Sequence, residues 1–282
     1  MPHSELAPAK INLALHVLGR KGDGYHELDS IVAFADIADR LTFAEAPDWR
    51  LHITGPFARA LPLGDDNLVL KAARAFAAAY PGQGGTYRIT LEKNLPVASG
   101  IGGGSADAAA TLRGLLRLWD AQISEPELSA LALSLGADVP MCLKSRPLAA
   151  RGIGEDITML DTMPSFAIVL ANPLRGVSTP DIFRRLTTKN NPAIPALTGD
   201  WQADLSALRN DLEPPARSLV SEIGELSELI AAEGAWLARM SGSGATYFGL
   251  FETSAKAVNA ANSLQSKRPD WYFTAARTIG AK

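Results

Sequence analysis

Between Leu95 and Leu112 the chain reads LPVASGIGGGSADAAATL, with glycine at four of the five positions from Gly100 to Gly104. Glycine inside a helix or strand costs roughly 0.5–1 kcal/mol relative to alanine, so the run marks a turn or a close approach to the main chain. Ahead of it, TYRITLEKNL alternates Tyr87, Ile89 and Leu91 with charged and polar residues, as a strand does. Behind it, Ala108, Leu112, Leu115, Leu116 and Trp119 fall on one helical stripe. The predicted order is strand, glycine loop, helix. A helix N-terminus leaves backbone N–H groups unpaired, and its dipole adds about half a positive charge there, so phosphate is the expected guest. Ser105 adds a hydroxyl donor. A tight strand-to-helix turn is the plainer alternative, although four glycines exceed what a turn requires. The loop lacks the GKS or GKT ending of a P-loop, and Ser105 and Ala106 stand where a dinucleotide fingerprint needs its third glycine.

The chain has 282 residues, 47% of them hydrophobic, enough for one large core or two smaller ones. From Ala9 to Val17 it alternates strictly: Ile11, Leu13, Leu15 and Val17 on one face, Lys10, Asn12, Ala14 and His16 on the other. This pattern predicts a half-buried strand. Gly19 to Tyr25 reads as a turn, and strand-like sequence resumes from Ile31. Val69, Ala72, Ala73, Phe76, Ala77 and Tyr80 predict a helix capped by Asp65, Asp66 or Asn67 and ended by Pro81-Gly82. A further helix is expected from Pro126 to Leu135, stopped by Gly136. Short apolar pieces between Arg146 and Met163 suggest a boundary near there, giving domains 1–160 and 161–282. Beyond it come a buried strand in SFAIVLANP, a surface loop from Thr187 to Asp200, and helices near 201–208, 216–233 and 254–267.

The formal net charge of −3 comes from 27 basic and 30 acidic residues without like-charged blocks, so neither nucleic acid nor a membrane is expected as a partner. Cys142 is the single cysteine, which excludes an intramolecular disulfide and fits a reducing cytoplasm. The histidines His3, His16, His26 and His52 show no metal-ligand spacing with it. No apolar run approaches the roughly 20 residues that span a bilayer, and the N-terminus does not read as a signal, so a soluble, untargeted protein is expected.

Three short motifs accompany the glycine loop. PAKINL places Lys10 and Asn12 on one side of a strand. LGADVP puts Asp138 between a helix-ending glycine and Pro140, in a rigid exposed turn that can aim a carboxylate. ARMSGSGATYFGLF sets Gly242 and Gly244 between two apolar stretches. Taken singly, each has a plainer reading: a solvated lysine, a capping aspartate, a hairpin turn.

Together, in this order, PAKINLALHVLGRKGDGYHELDS, GIGGGSADAA, GADVP and SGSGAT resemble the GHMP kinase superfamily, over nearly the whole chain. The resemblance implies an α+β fold with the two-domain architecture of that family, an N-terminal ATP-binding domain and a C-terminal α/β sandwich, with the active site in the interdomain cleft. It implies an ATP-dependent small-molecule kinase, with Mg2+ accompanying ATP, present as monomer or homodimer. The loop Pro96, Val97, Ala98, Ser99, Gly100, Ile101, Gly102, Gly103, Gly104, Ser105 and Ala106 would hold ATP phosphates, and Asn67 and Lys93 would match the adenine pocket. Lys10 and Asp138 would be catalytic, flanking the acceptor hydroxyl.

Within the superfamily, the branch resembled acts on an alcohol carrying a cytidine diphosphate, cytidyl diphosphate methylerythritol, at the 2-hydroxyl of its erythritol part. There Tyr25 and Phe183 would stack on cytosine, His26 would read its edge, and Asn12 and Thr179 would line the substrate site. Another kinase of the homoserine or mevalonate type, or a catalytically silent metabolite-binding homologue, stands as the alternative. Ala106 departs from the family pattern, which often has a second serine there.

Overall fold

The computed structural model describes residues 3–20, 22, 26–62, 64–97 and 99–281; Tyr25 and Ala98, both expected at the site, lie outside the described residues. Contacts divide the chain into two compact units, one of Met1–Ala9, Ile37–Val97 and Gly102–Ser145, the other of Lys10–Asp36, Ala98–Ile101 and Arg146–Lys282. The long strands β1 (His3–Arg20) and β2 (His26–Ala46) contribute residues to both.

In the first unit, β3 (Arg50–Thr54) runs parallel to β4 (Thr86–Glu92), and β4 pairs antiparallel with the end of β2, Arg40 opposite Glu92 and Ala46 opposite Thr86. Tyr87, Ile89 and Leu91 point inward, as their alternation predicts. Two helices pack together on the unit's core: α1 (Leu68–Ala79) buries Val69, Ala72, Ala73 and Phe76, and α2 (Gly103–Leu118) buries Ala108, Leu112 and Leu115. Burying each large apolar side chain contributes about 1.5–3 kcal/mol. Asn67 is the residue that caps α1, accepting from Val69 N–H at 2.9 Å. α3 (Glu125–Leu135) starts with a capping box between Ser124 and Glu127 and ends at Gly136; α4 (Val139–Lys144) follows, with Asp138 at its N-cap.

In the second unit, residues Leu28–Val32 of β2 pair antiparallel with β5 (Leu148–Gly152), which pairs with β6 (Asp156–Met159). A separate antiparallel sheet is built from β7 (Ala167–Asn172), β8 (Leu237–Met240), β9 (Tyr247–Phe251) and β10 (Tyr272–Arg277), in the order β10-β7-β9-β8. Every residue of the inner strand β7 is buried. Helices α8 (Glu222–Ala232) and α9 (Ser254–Lys267) pack on this sheet, their Ile223, Leu226, Ile230 and Leu264 meeting Val169, Tyr247 and Phe251. The shorter helices α5 (Thr179–Arg185), α6 (Trp201–Ala207) and α7 (Glu213–Leu219) complete the unit.

Several expectations change. β1 is buried on both faces from Ala9 to Val17, because Lys10, Asn12 and His16 are also covered, at 4%, 3% and 2% exposure. β2 begins at His26, ahead of Ile31. The helix expected over 216–233 is two: Val220 takes extended backbone, φ −134° and ψ 99°, and separates α7 from α8. The segment 187–200 carries no helix or strand, yet it is fastened: Asn191 N–H donates to the Val17 carbonyl at 3.2 Å and Ile194 N–H to Asp29 Oδ2 at 3.0 Å. Among the described residues no helix is long and apolar enough to cross a membrane.

Candidate active site

The glycine loop is fixed along its length by specific contacts. In the second unit, the Ser99 carbonyl accepts from Thr246 N–H at 3.0 Å, the Gly100 carbonyl accepts from the Ser241 hydroxyl at 3.1 Å, and the Ile101 carbonyl accepts from Lys10 N–H at 3.0 Å. Gly100 has φ +73°, and a Cβ there would lie 2.5 Å from the Ser241 carbonyl oxygen and 2.7 Å from that of Gly244. The turn joining β8 to β9 therefore leaves room at position 100 for main chain only.

In the first unit, Gly102 is the N-cap of α2, left-handed at φ 64° and ψ 20°, and no side chain caps the helix. Helical bonding starts with Ala106 N–H to the Gly102 carbonyl at 2.8 Å. The amides of Gly103, Gly104 and Ser105 are thus left without intrahelical partners at the positive end of a helix of 16 residues. Gly104 is exposed, and a Cβ there would meet only Leu68 Cδ1, at 3.3 Å. Gly103 is constrained from the protein side: its Cβ would stand 3.1 Å from Lys93 Nζ.

Lys93 is almost wholly buried, its Nζ 2.5 Å from Asp39 Oδ2 and 2.7 Å from Asp107 Oδ2. Burial works against its charge, but Asp107 and Asp39 outweigh it and hold the ammonium pKa above the ordinary lysine value. Asp107 is pushed up to about 7, chiefly by burial. The Lys93 main chain is also committed: its N–H donates to the Thr54 carbonyl at 2.7 Å and its carbonyl accepts from Phe57 N–H at 3.2 Å. Asn67 is similarly engaged, its Oδ1 capping α1 and its Nδ2 donating to the Pro62 carbonyl at 2.9 Å. The polar atoms of both residues expected at the adenine therefore already have protein partners.

Asn12 sits in a buried network of the second unit. Its N–H donates to the Ser241 hydroxyl at 3.1 Å and its Nδ2 to the Ser30 hydroxyl at 2.8 Å, which passes a bond on to the Ala14 carbonyl at 2.6 Å. Its Oδ1 is buried and has no partner, which leaves it open to accept one further hydrogen bond. Asn210 steadies the same turn, donating to the Met240 and Gly242 carbonyls at 2.7 and 2.8 Å. Lys10, two residues before Asn12 on β1, is 4% exposed. Asp138, in the first unit, makes no side-chain cap bond to α4 and is half-buried rather than exposed.

His26 and Phe183 stack on each other, ring centroids 4.4 Å apart and planes at 20°. One face of Phe183 is thus covered by imidazole, where the sequence suggested a base. Burial, with Lys189 and Arg20, lowers the His26 pKa, and its Nε2 has no partner. Thr179 lies at the first turn of α5, its hydroxyl 2.7 Å from that of Ser243.

Asp39, Asp107, Ser30, Ser241 and Asn210 escaped sequence reasoning. Lys93 stands 54 residues from Asp39 and 14 from Asp107, so no spacing links them. The one available signal was an aspartate inside the alanine-rich start of α2.

Residues 67–146 match the model of the GHMP kinases N terminal domain, and residues 193–270 that of the GHMP kinases C terminal domain. The chain is 58% identical over 282 residues to a 4-diphosphocytidyl-2-C-methyl-D-erythritol kinase of Rhizobium johnstonii, covering 98% of this chain and 93% of that protein. It is 57% identical to the protein of the same name from Agrobacterium fabrum, covering 98% and 96%. A crystal structure of 4-(cytidine 5'-diphospho)-2C-methyl-D-erythritol kinase superposes with a TM-score of 0.83 at 38% identity, covering 99% and 100%. A mevalonate kinase of L. major shares the fold, with a TM-score of 0.74 at 16% identity, covering 99% and 96%.

Proposed function

The chain belongs to the GHMP kinase family, and on that premise we propose that it transfers the γ-phosphoryl group of ATP to the 2-hydroxyl of 4-diphosphocytidyl-2-C-methyl-D-erythritol. It is an ATP-dependent small-molecule kinase. The observation that carries the reading is the start of α2, where Gly102 turns the chain and three successive amides stand unpaired in the helix at its positive end. Those amides receive the phosphate tail. The choice of acceptor rests on the likeness to kinases bearing that substrate's name along nearly the whole chain.

The acceptor oxygen attacks the γ-phosphorus, a new O–P bond forms, the bond to the bridging oxygen breaks, and ADP leaves. Lys10 neutralises charge gathering on the attacking oxygen and the transferred group, and Asp138 orients the hydroxyl and takes its proton. A loose phosphoryl-transfer transition state asks little of a base, so orientation is the larger part of the work of Asp138. Asn12 Oδ1, buried and unpartnered, accepts from a substrate hydroxyl.

Mg2+ would accompany ATP: among the described residues no cluster of three or more His, Cys, Asp or Glu side chains forms a cage for it, so nucleotide oxygens and water would supply most of its ligands, with the Ser105 hydroxyl in the first turn of α2 as a neutral oxygen beside them. When bound, the metal offsets phosphate charge. Cytidine recognition falls to His26 and Phe183, together with Tyr25. We place the enzyme in the cytoplasm, in keeping with its single, buried cysteine.

An assay offering ATP with the cytidyl alcohol, homoserine or mevalonate tests the reading. Phosphorylation of the cytidyl alcohol alone is expected; turnover of either other alcohol in its place overturns the assignment.

A further inference from the structure

We propose that Lys93 is a positioning residue for the phosphate-holding loop: its ammonium, clamped between Asp39 and Asp107, ties the exit of β4 to the beginning of α2 directly beneath Gly103. The inference rests on the reading of this loop as the ATP phosphate site, and it moves Lys93 from the adenine to the other end of the nucleotide.

Three charges with 1%, 0% and 3% side-chain exposure are an expensive way to hold a fold. Replacing such a cluster by packed apolar residues is often neutral or stabilising, so stability alone does not account for it. Its connections do. Asp39 Oδ2 holds the ammonium, while Oδ1 accepts from Asn94 N–H at 2.6 Å and Leu95 N–H at 2.9 Å, the first residues of the approach to the loop. Asp107 lies one turn into α2 and takes the ammonium on Oδ2. A single side chain thereby fixes both ends of the loop segment in the first unit.

The ammonium also acts through its place. Because position 103 has no Cβ, Lys93 Nζ reaches to 3.1 Å from where that atom would be. The ammonium is the part of the cluster nearest that position, and since Asp39 and Asp107 offset its charge, its effect there is to set where the loop's main chain lies. Asp107 Oδ1, buried without a partner, is the residual acceptor of the cluster. Its carboxyl, pushed up to about 7, is partly protonated near neutral pH, which limits the negative charge set beneath the phosphates.

The double variant Lys93→Met/Asp107→Asn removes one charge of each sign and tests the inference. Its unfolding midpoint is compared with wild type, together with KM for ATP, KM for the cytidyl alcohol, and Kd for ADP and adenosine. The expected result is a rise of about tenfold or more in KM for ATP and Kd for ADP, as misplacement of a binding loop produces, with adenosine binding and KM for the alcohol unchanged. Asp107→Asn alone, which keeps the ammonium and an acceptor oxygen, is expected to restore ADP binding.

Equal weakening of adenosine and ADP would return Lys93 to the adenine side and overturn the proposal, as would an unchanged KM for ATP. Should the double variant fail to fold, Asp39→Asn supplies the same comparison: Asp39, unlike Asp107, accepts on both oxygens, so an amide NH2 there faces either the ammonium or the Asn94 and Leu95 N–H groups, and selective loss of ADP over adenosine is expected, equal loss contradicting it. Wild-type protein that binds no ADP defeats the kinase reading itself.

Discussion

Ser241 encloses Gly100 from two directions: its hydroxyl donates to the Gly100 carbonyl at 3.1 Å, and its own carbonyl oxygen stands 2.5 Å from where a Cβ on Gly100 would be. Gly100→Ala therefore combines a left-handed backbone, about 1–2 kcal/mol, with an overpacked contact, about 1–3 kcal/mol. Thermal unfolding is expected to show this loss, in a variant that expresses poorly or melts well below wild type.

Gly104→Ala should behave in the opposite way. The position is helical and exposed and meets only the flexible Leu68 side chain, so chain stiffening is expected to leave stability unchanged or raise it by about 0.4–1 kcal/mol. The added methyl would crowd the amides that the proposed function assigns to phosphate. KM for ATP is expected to rise while the melting temperature holds; a variant with unchanged KM for ATP would remove Gly104 from the phosphate site.

Burial raises the Asp107 pKa from 3.8 to about 7. The folded chain then binds more protons than the unfolded one between those values, so stability falls as pH rises through that window and levels off above it. The slope from this one group is at most about 1.4 kcal/mol per pH unit. Denaturant unfolding of wild type and Asp107→Asn between pH 4 and pH 8 should show the difference, the variant lacking this part of the slope.

Phe183→Ala should weaken the cytidyl alcohol selectively. Stacking of an aromatic ring on a base contributes about 1–3 kcal/mol, a rise in KM of about 5- to 150-fold. KM for ATP is expected to stay constant. If both change equally, Phe183 belongs to the core, against which its ring also packs.

Asp138→Asn separates proton transfer from orientation. An essential general base is worth about 10²–10⁴ in kcat, and a loss smaller than that, with substrate KM unchanged, is expected from a carboxylate that mainly orients. Pre-steady-state turnover with saturating ATP and alcohol measures it. A loss within the full general-base range would make proton removal the main contribution.

Much of the first unit could be read from residue pattern. Alternation found β4, Asn67 was among the named caps of α1, and Gly136 ended α3, because each depends on neighbours in sequence. The glycine run was legible as a loop opening a helix, but only part of its cause was. Gly100 answers to the distant turn at 241–244 and Gly103 to Lys93, and no local rule carries either contact. The same limit hid the partners of Lys93 and the His26–Phe183 stack. Alternation alone makes β1 half-buried because Lys10, Asn12 and His16 are polar; their cover comes from segments far along the chain, such as Ser241 beside Asn12 and Pro192 beside His16.

That doubly covered strand limits how this enzyme can evolve. From Ala9 to Val17 no side chain faces water, so a change there disturbs packing, and at Lys10 and Asn12 the proposed site with it. Neutral drift has little room in such a stretch, and laboratory selection for new alcohols would find few survivors in it. Variation can accumulate more readily in the mostly exposed residues at 187–193, which touch β1 chiefly through main-chain atoms.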